Sequence, residues 1–373
     1  MGSGRAASDS VNQQTAAFLN LHEVELMARE ILPAPTYDYF AGGANDEITL
    51  HANRHGFDEI SIRPRVLVDV SRRDLAVALL GTPSPAPLVV APMAFQRLAH
   101  PDGELATARA AAGLGLTMAL STFSTVSLEE VRAATSAPLW FQLYVHQDRG
   151  ITRGLVERAA AAGYAALVLT VDVQEIGRRE RDERNAFRLS PALRVANFLP
   201  AVSGPLQGGA EGSGLASFIH GMRDASFAWK DLEWLRRISP LPLVLKGVVR
   251  ADDALRAADH GVEGIVVSNH GGRQLDTGIP SLRALPEVAE AVGDRMLVLM
   301  DGGVRRGNDV FKALARGARA VCIGRPYVWG LAAFGQPGVE KVIGLLRAEL
   351  ERTMRLAGTT SITSIGPASI GRG

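Results

Sequence analysis

The segment PLVLKGVVRADDALRAADHGVEGIVVSN, residues 242–269, contains the pattern that decides the fold. Two short apolar runs, PLVLKGV (242–248) and GIVVSN (264–269), enclose ADDALRAADHG, where apolar residues recur at helical spacing before a glycine. The apolar runs predict buried strands, and the middle pattern predicts a helix that stops at the glycine. A helix between two such strands indicates a parallel pair with a crossover connection, so we infer a β–α–β unit.

The same alternation continues along most of the chain from residue 87 onward. Further strand-like runs are PLVVAP (87–92), TMALST (117–122), PLWFQLY (138–144), ALVLTVD (166–172), MLVLMDGG (296–303) and AVCIGR (320–325), which makes eight in all. Eight strand–helix units close naturally into a (β/α)8 TIM barrel, which is an α/β fold. An open doubly wound sheet is disfavoured, because no GxGxxG turn follows the first strand.

One barrel domain is predicted over residues 19–373, with two additions. A helical extension containing LHEVELMAREIL precedes the barrel within residues 19–86 and could cover one of its ends. The connection after the fourth strand, about 173–229, is far longer than usual, which predicts a lid loop; an ordinary solvated loop is the alternative. Its middle part, VSGPLQGGAEGSG, has the glycine content of a mobile segment. The small and polar residues of the start, 1–18, predict disorder.

The composition excludes several kinds of partner and site. Among 373 residues, 40 Lys and Arg stand against 39 Asp and Glu, so there is no excess of positive charge to bind nucleic acid or an anionic membrane. The single cysteine, Cys322, lies in an apolar stretch, so a buried thiol is expected. Without a long apolar segment or a leader pattern, a cytoplasmic protein is predicted. His51 and His55 lack a third ligand nearby, so no metal site is predicted.

The residues that end the strands form a set of candidate site residues. Barrel enzymes carry their chemistry at the carboxyl ends of the strands, so residues far apart in sequence meet at one mouth. These residues are Pro92, Ala94, Ser121, Phe123, Gln142, Tyr144, Thr170, Asp172, Lys246, His270, Arg273, Asp301, Arg305, Gly324 and Arg325.

A phosphate site is predicted at the seventh and eighth units, where MDGGVRRGNDV and IGRP each join a strand to a helix. Glycines allow backbone N–H groups to approach an anion, a helix N-terminus favours negative charge, and arginine binds phosphate through two donors. Glycines that serve only tight turns are the alternative.

Three strand-end residues have the chemistry of a catalytic centre. Lys246 would supply a fixed ammonium that stabilises developing negative charge; a Schiff-base role stays open, because it requires a depressed pKa. His270 is a candidate general base, and Asp172 could orient its imidazole and stabilise the protonated form.

Arg273 and Arg179 would present guanidinium groups to a small anion, most simply a carboxylate. The sequence therefore predicts an acidic substrate.

With these residues assembled, the chain resembles the FMN-dependent α-hydroxy acid oxidase and dehydrogenase family, which includes glycolate oxidase and lactate oxidase. The resemblance covers nearly the whole chain after residue 20, and its most specific motif is SNHGGRQLD (268–276). It is also carried by YDYFAGGANDEITL, APMAFQRLAHPDGE, STF, FQLY, LTVD, GRRE, LKGV, DGGVRRGNDVFKAL and IGRP. The resemblance implies FMN as the cofactor and a small 2-hydroxy acid as the substrate.

The resemblance also implies roles for individual residues. His270 would take a proton from the 2-hydroxy acid with Asp172 as its partner, and Lys246 would face the flavin. Arg179 and Arg273 would hold the substrate carboxylate, and the remaining substrate contacts would be Tyr39, Phe123 and Tyr144. The implied flavin contacts are Pro92, Ala94, Ser121, Gln142 and Thr170, and those around the ribityl chain and phosphate are Asp301, Gly303, Arg305, Gly324 and Arg325.

Local features of the sequence bear on the substrate and the electron acceptor. Phe123 stands where glycolate oxidase carries tryptophan, which implies a smaller wall without an indole N–H and room for a bulkier side chain. The stretches STF…SLEEV, SAPLW…QLY and SIGPASI resemble the 4-hydroxymandelate oxidase branch, which favours an (S)-arylglycolate substrate of the mandelate type. Ala94 matches the residue that oxidases of the family carry, which implies oxygen as the acceptor and release of hydrogen peroxide.

Several alternatives stay open at the level of sequence. The substrate could be a short-chain acid such as lactate or glycolate, and the electrons could pass to a quinone or cytochrome instead of oxygen. A different class of enzyme, a non-redox phosphate-binding barrel such as an aldolase, would use Lys246 as a Schiff-base nucleophile. After LTVD the chain departs from many relatives, so Arg178 is an alternative to Arg179. Family precedent implies a homotetramer or larger assembly.

Overall fold

Helices form the amino-terminal part of the chain and confirm the predicted extension. The computed structural model describes residues 18–190, 193–198 and 223–372. Three helices come first, α1 (Leu21–Ile31), α2 (Ala34–Ala41) and α3 (Ile48–Asp58). Asn20 caps α1, because its side chain accepts the backbone N–H groups of His22 and Glu23.

The start of the described chain differs slightly from the predicted boundary. The prediction of disorder for 1–18 includes Phe18, but Phe18 is fully buried and its ring stacks on Phe334 at a centroid distance of 5.7 Å. The folded domain therefore includes Phe18, and the rest of the prediction for 1–18 lies outside the described residues.

Short strands flank the barrel on its outside. Strand β1 (Ile60–Ile62) pairs antiparallel with the last strand of the chain, β12 (Ile370–Arg372), so the two ends of the domain are joined. Strands β2 (Val77–Leu79) and β3 (Thr82–Ser84) form an antiparallel hairpin.

Eight parallel strands close into a barrel and confirm the predicted (β/α)8 fold. Each strand lies within one of the eight predicted runs, and the last strand pairs back onto the first through Val321 and Leu88. The strands are β4 (Leu88–Val90), β5 (Thr117–Leu120), β6 (Leu139–Leu143), β7 (Ala166–Thr170), β8 (Leu243–Val248), β9 (Gly264–Val267), β10 (Leu297–Met300) and β11 (Ala320–Ile323). Their carboxyl ends consequently form one rim.

Helices surround the barrel in the order expected from alternating strands and helices. They are α4 (Gly103–Gly113), α5 (Leu128–Ala133), α6 (Arg149–Ala161), α7 (Glu180–Arg184), α8 (Leu232–Ile238), α9 (Ala251–Asp259), α10 (Ser281–Val292), α11 (Gly307–Ala315) and α12 (Arg325–Leu356). Single 3₁₀ turns occur at Gln96–Leu98, Trp229–Asp231, Gly293–Arg295, Ile362–Ser364 and Pro367–Ser369. Within the described ranges, no helix combines the length and apolar character needed to cross a membrane.

Alternating side chains of the strands divide the core into two parts. One set fills the inside of the barrel and consists of Val89, Ala91, Ala119, Trp140, Ala166, Val168, Val244, Val266, Leu299, Ala320 and Cys322, joined by Leu79 of the β2–β3 hairpin. The neighbouring strand residues, such as Leu88 and Val90, face the surrounding helices. The prediction of a buried thiol is confirmed, and burial raises the pKa of Cys322.

The connection between β7 and β8 is as long as predicted, because β7 ends at Thr170 and β8 begins at Leu243. The described parts of it include α7 and α8, whereas the glycine-rich middle lies outside the described residues. Asn197 attaches this connection to the end of β5: its amide donates to the carbonyl of Thr122 at 3.1 Å and to Ser124 Oγ at 2.8 Å. The function of the connection as a lid stays a prediction.

A close contact between two turns of α12 generates a test of the packing. The helix is interrupted at Gly335, where φ is 62°, and on either side of this break Gly330 and Gly338 meet backbone to backbone. A Cβ at Gly338 would collide with the carbonyl oxygen of Gly330, so we expect Gly338→Ala to lower the free energy of unfolding by about 1–3 kcal/mol. Thermal unfolding followed by circular dichroism measures this change.

Gly344 provides the matched control on the same helix, because a Cβ there would have no neighbour within 4 Å. We expect Gly344→Ala to be neutral or to stabilise the protein by up to about 1 kcal/mol through helix propensity. Equal unfolding temperatures for the two variants would contradict the packing described for Gly338.

Candidate active site

A cleft at the carboxyl ends of the barrel strands brings the predicted site residues together. The space between its walls is ≈ 1140 Å³, including the part open to solvent. Asp172 is the one predicted site residue outside the lining, and it contacts the cleft through His270. The lining residues from the predicted set are Tyr39, Pro92, Ala94, Ser121, Phe123, Gln142, Tyr144, Thr170, Arg179, Lys246, His270, Arg273, Asp301, Gly303, Arg305, Gly324 and Arg325.

His270 and Asp172 form a hydrogen-bonded pair below the cleft. His270 Nδ1 lies 3.0 Å from Asp172 Oδ1, which leaves Nε2 as the ring nitrogen available to a ligand. Burial lowers the pKa of His270, although Asp172 opposes this effect. Burial alone would raise the pKa of Asp172, but His270 and Lys246 hold it below its ordinary value. The pair is therefore a neutral imidazole beside a carboxylate, as a general base requires.

The local backbone explains how Asp172 reaches His270. The pairing of β8 with β9 shifts register between Lys246 and Val248, and Gly247 in between has a φ of 111°. A Cβ on Gly247 would lie 2.6 Å from both Cβ and Cγ of Asp172. Only glycine permits this approach and this conformation, so the bulge after Lys246 makes room for the carboxylate.

Lys246 carries a buried positive charge at the centre of the rim. Its Nζ lies 3.2 Å from Asp301 Oδ2 and donates to Ser268 Oγ at 3.1 Å. Burial alone would lower the pKa of Lys246, but Asp301 and Asp172 raise it above its ordinary value. A Schiff-base lysine needs the opposite shift, so the aldolase alternative loses its nucleophile.

Ser121, Gln142 and Thr170 extend the polar rim across three neighbouring strands. Gln142 Nε2 donates to Thr170 Oγ1 at 2.9 Å, and Ser121 Oγ donates to Gln142 Oε1 at 3.3 Å. All three residues are buried, so their mutual hydrogen bonds offset the cost of removing them from water. The result is a fixed row of polar atoms beside Lys246.

Two partly buried guanidinium groups occupy the other side of the cleft. Arg273 donates to the carbonyl oxygens of Tyr39 and Gly42 at 2.7 and 2.9 Å, and burial, together with the nearby charge of Arg179, lowers its pKa to about 10. Arg179 lies 3.5 Å from Asp182, and its buried Nε has no hydrogen-bond partner within the described residues. These donors would suit a small carboxylate.

The structure distinguishes Arg179 from its neighbour Arg178. The Arg178 side chain is 63% exposed and forms ion pairs with Glu180 and Glu183, whereas the Arg179 side chain is 14% exposed and lines the cleft. The alternative assignment to Arg178 is therefore not supported by the geometry.

Aromatic side chains form the wall above these arginines. Phe123 contacts Tyr144 and Phe198 at ring-centroid distances of 5.3 and 6.0 Å. Tyr39 stacks on Phe187 at 4.8 Å. Burial raises the pKa values of both Tyr39 and Tyr144, so their hydroxyl groups are neutral donors.

The opposite end of the cleft is cationic and glycine-rich. Arg325 begins α12 and donates to the carbonyl oxygens of Phe40, Gly42 and Gly271 at 2.9–3.0 Å, and no carboxylate pairs with it in the described part of the chain. Burial and the neighbouring Arg273 and Arg305 lower the pKa of Arg325 to about 9. A helix N-terminus with two partly buried arginines has the donors that the predicted phosphate site requires.

The structure adds three residues that sequence reasoning missed. Ser268 accepts hydrogen bonds from Lys246 Nζ and from the backbone N–H of His270, and Gly247 makes room for Asp172. Both lie within quoted motifs, so their position beside a catalytic candidate was an available signal. Arg223 lines the cleft from the long connection, where no periodic pattern distinguishes one arginine from another.

The His270–Asp172 contact predicts the response of the imidazole to a change of charge. Replacing Asp172 with Asn removes the charge that opposes burial, so we expect the pKa of His270 to fall further, by about one pH unit or more. An NMR titration of protein with carbon-13-labelled histidine measures it, and the His270 signal is identified by its loss in His270→Gln. Asp102→Asn is the control, because Asp102 lies 4.0 Å from a different imidazole, that of His100. An unchanged or higher His270 pKa would show that Asp172 does not act as its charged partner.

Comparison with known sequences places the chain in one family. The family described as FMN-dependent dehydrogenase matches residues 28–372. An L-lactate oxidase from a Nostoc species is 55% identical over 352 residues, covering 93% of this chain and 96% of that protein. Glycolate oxidase from Spinacia oleracea is 48% identical over 351 residues, covering 94% of this chain and 95% of that protein.

Comparison with solved structures indicates the same family. A crystal structure of mandelate oxidase with (S)-4-hydroxymandelic acid has a TM-score of 0.90 at 42% identity and covers 95% of this chain and 99% of that one. These matches confirm the family resemblance inferred from the motifs. The chain therefore belongs to the FMN-dependent dehydrogenase family, among the 2-hydroxy acid oxidases, and FMN is its cofactor.

Proposed function

We propose that the protein oxidises (S)-2-hydroxy acids with an aryl side chain to 2-keto acids, with oxygen reduced to hydrogen peroxide. The observation that carries this proposal is the aromatic wall of Phe123 and Tyr144, with Phe198 in contact with Phe123, in the same cleft as the guanidinium groups of Arg179 and Arg273. An arylglycolate has one group for each surface, because its ring packs on aromatic side chains and its carboxylate pairs with arginine.

The donors of the cleft fit FMN. Arg305, Arg325 and the N-terminus of α12 are suited to its phosphate, and Gly303, with a φ of 82°, belongs to the adjoining turn. The buried Oδ1 of Asp301 has no hydrogen-bond partner within the described ranges, which suits a hydroxyl group of the ribityl chain. Ser121, Gln142 and Thr170 supply the polar row for the flavin ring. When bound, FMN supplies the two-electron redox chemistry of the reaction.

The chain's own residues position the substrate and move its proton. Arg179 and Arg273 hold the carboxylate, which orients the 2-hydroxyl group toward His270. Because Nδ1 is bonded to Asp172, Nε2 of His270 accepts the hydroxyl proton. Asp172 then stabilises the imidazolium, as its carboxylate lies 3.0 Å away. The ammonium of Lys246 remains charged throughout and stabilises negative charge that develops beside it.

A short-chain substrate is the second candidate. The 55% identity to the Nostoc L-lactate oxidase exceeds the 42% identity to the mandelate oxidase structure, which favours lactate. The aromatic wall of the cleft is the observation that favours an aryl substrate instead.

Oxygen as the electron acceptor, a cytoplasmic location and a homotetramer or larger assembly stay predictions. Light scattering tests the predicted assembly.

The substrate is identified by anaerobic mixing of the purified holoenzyme with candidate acids. These are lactate, glycolate and both enantiomers of mandelate and 4-hydroxymandelate, and the measurement is bleaching of the flavin's visible absorbance. We expect fastest bleaching with the (S)-arylglycolates, followed by reoxidation and release of peroxide when air is readmitted. Preference for lactate would establish the second candidate, and slow reoxidation by air would indicate a different acceptor.

His270→Ala is the variant that tests the assignment of the base. It should still bind FMN but bleach about 10²- to 10⁴-fold more slowly, because only the proton acceptor is lost. A normal rate in this variant would refute the assignment.

The wall residue Phe123 generates a further prediction. Phe123→Trp fills space beside Tyr144, so we expect kcat/KM for (S)-mandelate to fall by about tenfold or more relative to glycolate. Phe123→Leu shortens the wall and serves as the comparison, because the ratio of kcat/KM for (S)-mandelate to that for glycolate should not fall in this variant. Steady-state kinetics measures both ratios, and an unchanged preference in both variants would remove Phe123 from the substrate side of the cleft.

A further inference from the structure

Arg223 is a buried cation in the cleft that the proposed reaction does not use. It precedes α8, and its backbone forms a bridge with His146 just beyond β6. The residue is 8% exposed, and its guanidinium carbon lies 5.2 Å from the centre of the Tyr144 ring. Its Nε and Nη1 are buried and have no hydrogen-bond partner within residues 18–190, 193–198 and 223–372.

At this end of the cleft Arg223 forms no ion pair within the described ranges, although Asp172 and Glu175 favour its charge electrostatically. Arg179, Arg223 and Arg273 all line it. Asp182 lies beside Arg179, and the α-carboxylate of a substrate would supply one more negative charge. Asp224, the residue after Arg223, is not available because it forms an ion pair with Arg149 at 2.5 Å.

An unpaired buried guanidinium is costly, so its presence calls for a ligand. Burial lowers the pKa of Arg223, and Tyr144, Asp172 and Glu175 oppose this effect only in part. The Tyr144 ring supplies a partial contact through its face, but it cannot accept the in-plane hydrogen bonds of Nε and Nη1.

There is also space for a ligand group around Arg223. Tyr144, Thr170, Val173 and Arg223 line both the cleft and a second cavity. The second cavity lies against β7 and β8, and its walls are mostly apolar, with Val145, Leu169, Phe227, Trp229, Leu232, Leu245 and Val248 among them. A side chain that extends past Tyr144 would meet mostly apolar walls and the guanidinium group of Arg223; the carboxylates that line this cavity are Asp224, which is paired with Arg149, and Asp253.

We propose that Arg223 binds an acidic oxygen at the far end of the substrate's side chain, so that the preferred 2-hydroxy acids carry a second carboxylate or a phenolic oxygen. This inference rests on the proposed function and specifies its substrate class. Arg179 and Arg273 hold the α-carboxylate in this arrangement, and Arg223 selects among side chains.

Matched pairs of substrates test the proposal on the wild-type holoenzyme. The aryl set is (S)-mandelate, (S)-4-hydroxymandelate and (S)-4-carboxymandelate, and the short-chain pair is (S)-lactate and (S)-malate. We expect a higher kcat/KM for the member with the additional oxygen in whichever set the enzyme accepts, and the aryl set shows whether a phenol or a carboxylate is preferred. Absence of any such preference in both sets would overturn the proposal, whether or not a variant folds.

Substitution of Arg223 shows whether it is the source of the preference. Arg223→Met keeps the length and removes the charge, so the preference for the member with the additional oxygen should fall by about ten- to a hundredfold, and Arg223→Lys should restore part of it. Arg184→Met is the control, because Arg184 is 77% exposed and lies outside the cleft.

The outcomes separate this inference from the proposed function. An equal fall in kcat/KM for both members of a pair would mean that Arg223 serves the α-carboxylate or the wall, and it would refute the inference while leaving the oxidase activity intact. If no 2-hydroxy acid bleaches the flavin, the proposed function itself fails, and the inference fails with it.

Discussion

Closure of the barrel between β11 and β4 is the constraint on which the site depends. The strands are short, and each one contributes only one or two side chains to the rim. Once the circle is closed, residues that lie far apart in the sequence must share a small enclosed space. Lys246 and Asp301 illustrate the consequence, because each would be an isolated buried charge without the other, and only the closed rim holds them 3.2 Å apart.

The charge of Lys246, which is paired with Asp301, influences groups at both ends of the cleft. Lys246 lowers the pKa of His270 and of Asp172, so the same ammonium that pairs with Asp301 also favours a neutral base beside an ionised carboxylate. The arginines at either end lose part of their basicity through burial and mutual repulsion. Such a cleft is incomplete until anions enter it, which explains why a phosphate-bearing cofactor and an acidic substrate suit the same site.

Most of this arrangement could be predicted from the sequence, because the residues concerned end strands whose apolar pattern is strong. His270 and Asp172 follow such strands and Lys246 lies near the end of one, and the barrel geometry then brings them together without further information. The sequence could not separate Arg178 from Arg179, since their side chains diverge only after the backbone is placed. Arg223 and Phe198 escaped prediction for a related reason: the long connection has no periodicity, and the contacts of its residues depend on tertiary packing.

The hydrogen bonds of Asn197 have a consequence for how this scaffold can diverge. They join the long connection to the carbonyl of Thr122 and the hydroxyl group of Ser124, on either side of Phe123, so the aromatic wall and the connection are held as one unit. An insertion or deletion in the connection would then alter the size of the substrate pocket while the barrel rim keeps its chemistry. Substrate range and catalytic machinery are thus separable traits in this fold, because they depend on different segments of the chain.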